Sequence, residues 1–264
     1  MRLSEHISAI NKKDEKALSV FLTAGFPEAK NFSDLAISIL DSGADLLELG
    51  IPFSDPLADG PVIQNSSLIA LENKVNLKKV FEYTSSIKQR ADKPIVLMGY
   101  ANPIVHYGVE NFFADALNAG ADGVIIPDAP IDEYDSFYGC GSKGLDTIML
   151  TTPYSTEERI QKADELSSGF IYCISVYGTT GERVSFSDET VEALSKTRSI
   201  IKKNKMLIGF GISSTESIKS IAPVCDGVIV GSAVIKRLFE YKEDKSLSKV
   251  TSYISSLKEA CKSN

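Results

Sequence analysis

The sequence predicts a (β/α)8 barrel of the TIM type with an extra N-terminal helix, on three observations. Eight short apolar runs recur along the chain, amphipathic helical segments separate them, and two of those helices leave through a Gly-Ala-Asp step into the next run. Near-continuous apolar strands suit parallel pairing, in which helices cover both faces of the sheet. Eight strand–helix units close into a barrel. With 264 residues, 43% of them apolar, the chain has the length of one such domain, 1–264, and material for a large core. An open doubly wound sheet is the competing topology, but no GxGxxG fingerprint follows the first strand.

The elements follow in order. The opening stretch MRLSEHISAINKKDEK is polar and amphipathic, a helix rather than a signal peptide. Strands are predicted over residues 18–23, 46–49, 95–100, 124–126, 147–150, 170–174, 207–210 and 228–230. Helices of 3.6-residue period are predicted over 31–41, 77–89, 110–118, 156–166 and 187–204. Gly43-Ala44-Asp45 and Gly120-Ala121-Asp122 mark helix exits, with glycine in its usual place after a helix C-terminus. This repeated step reads as packing and carries no functional weight. No linker or change of composition divides the chain.

Composition excludes several classes of function. The net charge of −7, with lysines scattered rather than clustered, argues against a nucleic-acid or anionic-membrane surface. No apolar run approaches the roughly 20 residues of a membrane helix. Cys140, Cys173, Cys225 and Cys261 form no CxxC pair and read as thiols of a reducing compartment, so the expected location is the cytoplasm. A metal site is not expected, since His6 and His106 are the sole histidines and both read as ordinary helix or loop residues.

Glu48 stands at the carboxyl end of the otherwise apolar run Leu46-Leu47-Glu48-Leu49, where barrel enzymes keep their chemistry. Burial would raise its pKa toward neutrality and suit it to proton transfer. Taken alone, a strand glutamate bonded to a backbone group or a lysine explains it better. A long loop with Pro52, Pro56 and Pro61 follows, and it carries Asp55 and Asp59. Ordinary βα turns run about 2 to 6 residues, so this one reads as a lid or binding loop. Either aspartate could serve as a turn former, and the residues alone do not separate them.

The loop sequence ELGIPFSDPLADGPVIQ resembles the signature of the tryptophan synthase alpha subunit family. The likeness extends to VFLTAGFP, LMGYANPI, GVIIPDAP, TTGER, IGFGIS and DGVIVGSAVI, and so covers nearly the whole chain. The resemblance implies a lyase that splits indole-3-glycerol phosphate by retro-aldol cleavage into indole and glyceraldehyde 3-phosphate, with Glu48 and Asp59 as catalytic carboxylates. It further implies a beta subunit, in an alpha2beta2 assembly, that carries pyridoxal phosphate and joins indole to serine. No cofactor is then expected on this chain. Asn102-Pro103 and the loop 55–61 are the surfaces the resemblance places near that partner.

Three glycine-bearing segments end the last three strand regions: Gly178-Thr179-Thr180-Gly181, Gly209-Phe210-Gly211 and Gly231-Ser232-Ala233. Each alone reads as a tight turn. Together, at neighbouring strand ends, they favour a phosphate cradle built from backbone N–H groups and a helix N-terminus. The resemblance assigns substrate binding to Thr180, Gly181, Gly211, Gly231 and Ser232, with Ser232 opening a short helix. For the indole end, Phe21, Tyr100, Ile126, Tyr172 and Phe210 are lining candidates by motif position, and each is equally expected as barrel core. Two departures from the family pattern stand out: Thr179 in place of a valine in the sixth loop, and one proline instead of two in Thr151-Thr152-Pro153-Tyr154. Two other readings are a different phosphate-binding barrel, an isomerase or indole-glycerol phosphate synthase, and a catalytically weak subunit that mainly activates its beta partner.

Overall fold

The computed structural model describes residues 2–139, 144–175 and 186–262. Among these the strands are β1 (Ala17–Thr23), β2 (Leu46–Gly50), β3 (Ile95–Met98), β4 (Gly123–Ile125), β5 (Asp146–Thr147), β6 (Leu150–Thr151), β7 (Phe170–Ile174), β8 (Lys205–Gly209) and β9 (Gly227–Val230). The helices are α1 (Leu3–Asn11), α2 (Phe32–Asp41), α3 (Pro61–Glu72), α4 (Leu77–Lys88), α5 (Ala101–Tyr107), α6 (Val109–Asn118), α7 (Glu157–Leu166), α8 (Asp188–Ile200), α9 (Thr215–Ile221), α10 (Ser232–Asp244) and α11 (Leu247–Ala260). The strands form one parallel sheet in the order β5-β4-β3-β2-β1-β9-β8-β7-β6.

The sheet closes through the chain itself. The fifth predicted strand, 147–150, is two short pieces, β5 and β6, flanking Ile148 and Met149. Its first half bonds β4, with Ile148 N–H donating to Val124 O at 3.1 Å. Its second half bonds β7, with Tyr172 N–H donating to Met149 O at 3.0 Å. One segment thus serves both ends of the sheet, and the eight predicted strands make a barrel.

Strand parity divides the core in two. Leu18, Val20, Leu22, Leu47 and Leu49 face outward and pack with the helices. Ala17, Leu46, Val96, Ile148, Phe170 and Leu207 face inward, and α1 adds Leu3, Ile7 and Ile10 to the same inner cluster. Those three residues, spaced at helical intervals, put the apolar stripe of α1 against the inner ends of the strands. The extra N-terminal helix therefore plugs one mouth of the barrel.

The Gly-Ala-Asp steps have a definite job at that plugged mouth. Gly43 and Gly120 take positive φ angles of 121° and 89° just past α2 and α6. Each aspartate then accepts an N–H from the first two residues of the neighbouring strand: Asp45 from Leu18 at 2.8 Å and Asp122 from Ile95 at 2.8 Å. Asp226, before β9, repeats the device with Met206 N–H at 2.9 Å. Lysines complete the charge balance, with Lys258 on Asp45 and Lys88 on Asp122 at 3.0 Å and Lys205 on Asp226 at 3.2 Å.

Two predicted elements end early by two residues or more. The third strand ends at Met98 rather than 100, because Tyr100 already caps α5 and Asp128 takes the first helical N–H, that of Ala101, at 2.8 Å. The helix predicted over 187–204 stops at Ile200, because the Asp164 carboxylate captures the N–H groups of Lys202, Lys203 and Asn204 at 2.7 to 2.9 Å. Cys173, Cys225 and Cys261 are free and buried, while Cys140 lies outside the described residues. His6 sits on α1 within 3.0 Å of the Asp45 carbonyl, and His106 lies in α5. No helix among the described residues is long and apolar enough to cross a membrane.

Candidate active site

At the other mouth a pocket of about 440 Å³, its opening included, sits over the carboxyl ends of β1, β2, β3, β7, β8 and β9. Glu48 reaches it from β2. Its side chain is fully buried, Oε1 accepts a hydrogen bond from the Ser19 hydroxyl at 2.8 Å, and Oε2 has no partner among the described residues. Burial pushes its pKa up to about 8, against a small opposing pull from Ser19. Such a group is a neutral acid at pH 7 and can still ionise during a reaction.

Asp59 enters the same pocket from the β2–α3 loop. The loop is pinned around it: Asp59 N–H donates to Pro56 O at 3.1 Å, and Gln64 Nε2 donates to Asp59 O at 2.8 Å. Tyr100 acts as a clamp, its hydroxyl donating to Asp59 Oδ2 at 3.0 Å and accepting from Ala58 N–H at 3.1 Å. Burial raises the Asp59 pKa to about 6, and the Tyr100 hydrogen bond partly offsets this. Asp55 is exposed and bonded to its neighbour Ser54, away from the pocket lining. Geometry thus separates two aspartates that the residues alone left equivalent, in the way the resemblance implies.

Aromatic rings form much of the remaining wall. Phe21, Tyr172 and Phe210 line the pocket, with Tyr172 and Phe210 edge to face at 6.2 Å between centroids. Strand-end glycines make room for the rings. A Cβ on Gly50 would lie 2.4 Å from the Phe21 ring, and one on Gly209 would lie 2.2 Å from the Tyr172 hydroxyl. Phe210 holds a left-handed φ of 72°, a strained state for a non-glycine residue. The Ser175 hydroxyl clamps that turn by reaching Gly209 O at 2.9 Å and Phe210 O at 2.6 Å.

Gly211, Gly231 and Ser232 complete the rim. Ser232 is the first residue of α10, which runs 13 residues rather than the short helix expected, and no side chain among the described residues caps its N-terminus. The contrast with α9 is useful: there Ser214 and Ser217 form a reciprocal capping box. The α10 end therefore turns the positive end of its helix dipole to the pocket, with the Val234 N–H already donated to Gly231 O at 2.9 Å.

Of the remaining candidates, Thr180 and Gly181, with the departure at Thr179, lie outside the described residues. Tyr100 is absent from the pocket lining and stands behind Asp59, while Ile126 lines a separate hollow with Pro127 and Thr151. Sequence reading missed Ile63, Met98, Ile212 and Ile229 in the wall. It also missed Ser19, whose signal was a polar residue at inward parity in β1, beside Glu48 in β2.

Comparison with known proteins settles what this constellation belongs to. The family profile described as "Tryptophan synthase alpha chain" matches residues 7–262. The chain belongs to the tryptophan synthase alpha chain family. A relative of that name from Geotalea uraniireducens is 42% identical over 262 residues, covering 99% of this chain and 98% of its own length. Another from Petrotoga mobilis is 43% identical over 249 residues, covering 93% and 96%. Among solved structures, Mycobacterium tuberculosis tryptophan synthase matches with a TM-score of 0.90 at 30% identity, over 100% of this chain and 99% of that one. Tryptophan synthase subunit alpha from Legionella pneumophila matches with 0.88 at 33% identity, over 98% of each.

Membership fixes the reaction class. The chain is a lyase of tryptophan biosynthesis that cleaves indole-3-glycerol phosphate, and it works with a beta subunit. The other phosphate-binding barrels are thereby set aside. In tryptophan synthase the pyridoxal phosphate is on the beta subunit.

Proposed function

We propose that Glu48 and Asp59 are the acid–base pair of the cleavage, with Glu48 serving the carbon and hydroxyl protons and Asp59 the indole nitrogen. The bond to be broken joins indole C3 to a glycerol carbon that bears a hydroxyl. C3 must gain a proton and the hydroxyl must lose one. Neutral Glu48, with a pKa near 8, gives the first proton, and the carboxylate left behind takes the second and returns to its starting state.

Protonating C3 places positive charge on the ring nitrogen. Asp59, with a pKa near 6, is largely ionised at pH 7, so it can accept the N–H proton and stabilise that charge. It hands the proton back when the C–C bonding electrons return to the ring. The observation that carries the assignment is the pair of raised, unequal pKa values on two carboxylates lining one pocket.

The phosphate end of the substrate is assigned to Gly211, Gly231, Ser232 and the uncapped start of α10, with Thr180 and Gly181 joining them by family pattern. Phe21, Tyr172, Phe210 and the aliphatic wall hold the indole. Tyr100 steadies Asp59. The beta subunit is assigned to the face carrying the 55–61 loop and Asn102-Pro103, in an alpha2beta2 assembly. Support comes from Leu57 and Val105, which are 86% and 56% exposed there and would be covered by a partner. The chain is read as one cytoplasmic barrel domain that carries no cofactor of its own.

The test is indole release from indole-3-glycerol phosphate by the purified chain, with and without a beta subunit. Cleavage that rises with the partner supports the reading. Activation of the partner by a chain that never releases indole would overturn the roles given to Glu48 and Asp59.

A further inference from the structure

The two oxygens of Glu48 have unlike surroundings. Oε1 accepts the Ser19 hydroxyl at 2.8 Å, whereas Oε2 is buried without a partner among the described residues. Ser19 is itself fully buried on β1. The β1–β2 register sets Ser19 opposite Leu46 and Phe21 opposite Glu48, so Ser19 and Glu48 are diagonal neighbours on the inner face. On its other side Ser19 pairs with Ile229 of β9. A hydroxyl amid these apolar side chains is costly unless it has a partner, and Glu48 is the one it has among the described residues.

This arrangement fixes where the proton can sit. With no second acceptor among the described residues, the serine proton must point to Oε1. A neutral Glu48 therefore uses Oε1 as its carbonyl oxygen and carries its own proton on Oε2. We infer that Ser19 is a positioning residue for the cleavage, tying down Oε1 so that Oε2 is the oxygen that exchanges protons with the substrate. The inference rests on the acid–base reading of Glu48.

The donor also favours the ionised form, because a hydrogen bond to a carboxylate is stronger than one to the neutral acid. It eases release of the proton and steadies the anion formed in mid-reaction. Asp59 of the β2–α3 loop and Tyr172 of β7 are the other titratable groups lining the pocket among the described residues. Neither makes a hydrogen bond to Glu48, so neither can replace Ser19.

The experiment compares Ser19→Ala, Ser19→Thr and Glu48→Gln in the full chain with its beta subunit. For Ser19→Ala the alkaline limb of kcat/KM moves up by about half a pH unit or more. At pH 7 kcat falls about 5- to 50-fold while KM stays within about twofold, as expected when an interaction of the reacting state is lost. Ser19→Thr, which keeps the hydroxyl, restores both. A second readout does not need turnover: the infrared carbonyl stretch of neutral Glu48, identified by its loss in Glu48→Gln, moves to higher frequency in Ser19→Ala. An unmoved band and limb in Ser19→Ala, beside an inactive Glu48→Gln, would overturn the role of Ser19 alone. Turnover by Glu48→Gln would instead remove the reading of Glu48 beneath it.

Discussion

Carboxylates stand at both mouths of this barrel, and the protein treats them in opposite ways. At the mouth plugged by α1, Asp45, Asp122 and Asp226 each accept a strand N–H and pair with a lysine. Their charges are compensated, and they join neighbouring strands. At the pocket mouth, among the described residues, Glu48 has the Ser19 hydroxyl on one oxygen and no partner on the other, while Asp59 has Tyr100. There burial is left uncompensated, and the pKa values rise to about 8 and about 6. The same side-chain chemistry is a fastener where it is satisfied, and where it is not the raised pKa values suit it to the proton transfer proposed above.

The largest effects should come from removing the unsatisfied pair. Glu48→Gln should lower kcat for indole release about 1,000-fold, and Asp59→Asn about 100-fold, within the usual range for acid–base groups. Substrate binding by each should remain measurable by calorimetry. A tenfold loss or less in either variant would contradict its role.

The two mouths should also differ in stability. At the pocket mouth, Glu48 keeps its proton in the folded chain up to a pKa of about 8 but loses it near 4.5 when unfolded. The folded state therefore binds more protons than the unfolded state between those values, and stability falls as pH rises through that window. The contribution is about 1.4 kcal/mol per pH unit. Glu48→Gln should remove this slope, so its urea midpoint should gain on the parent chain from pH 5 to pH 8. Parallel midpoints for the two chains would contradict the burial argument. At the plugged mouth, Asp45→Ala should instead cost about 1 to 3 kcal/mol of stability, because it strands the Leu18 N–H and leaves Lys258 with Glu15, at 2.9 Å, in place of two carboxylates. The folded fraction should keep its kcat, and a kcat loss there would blur the contrast.

The smallest effect concerns the helix ends. Ser232→Ala should raise KM about tenfold with little change in kcat, the low end of what one hydrogen bond to a charged phosphate contributes. In α9, Ser214→Ala should leave KM alone and lower the melting temperature, since its hydroxyl serves the helix itself.

Much of this was legible in the residues. The eight apolar runs and the helical period carried the barrel, because parallel strands buried on both faces leave a strong pattern. The split of the fifth strand was not legible, since it arises from which neighbour each half bonds. Helix α8 ended early through Asp164, which lies far away in sequence. In the site, Glu48 was visible as a charge in an apolar strand, whereas Asp55 and Asp59 differ only in which way the loop turns them. Tyr100 illustrates the same limit: its motif position fitted the wall, yet the fold spends its hydroxyl on Asp59. Gly50 and Gly209 likewise make sense only once the Phe21 and Tyr172 rings are in place.

The contrast between the two mouths turns on the ionisation of one group. Titration of the Glu48 side-chain carbon by carbon-13 NMR, with the resonance assigned through its loss in Glu48→Gln, measures it directly. A midpoint near 8 is the result expected from its burial and single hydrogen bond. A midpoint near the ordinary 4.5 would contradict it, leaving Glu48 ionised at neutral pH and unable to supply the proton on which the cleavage depends.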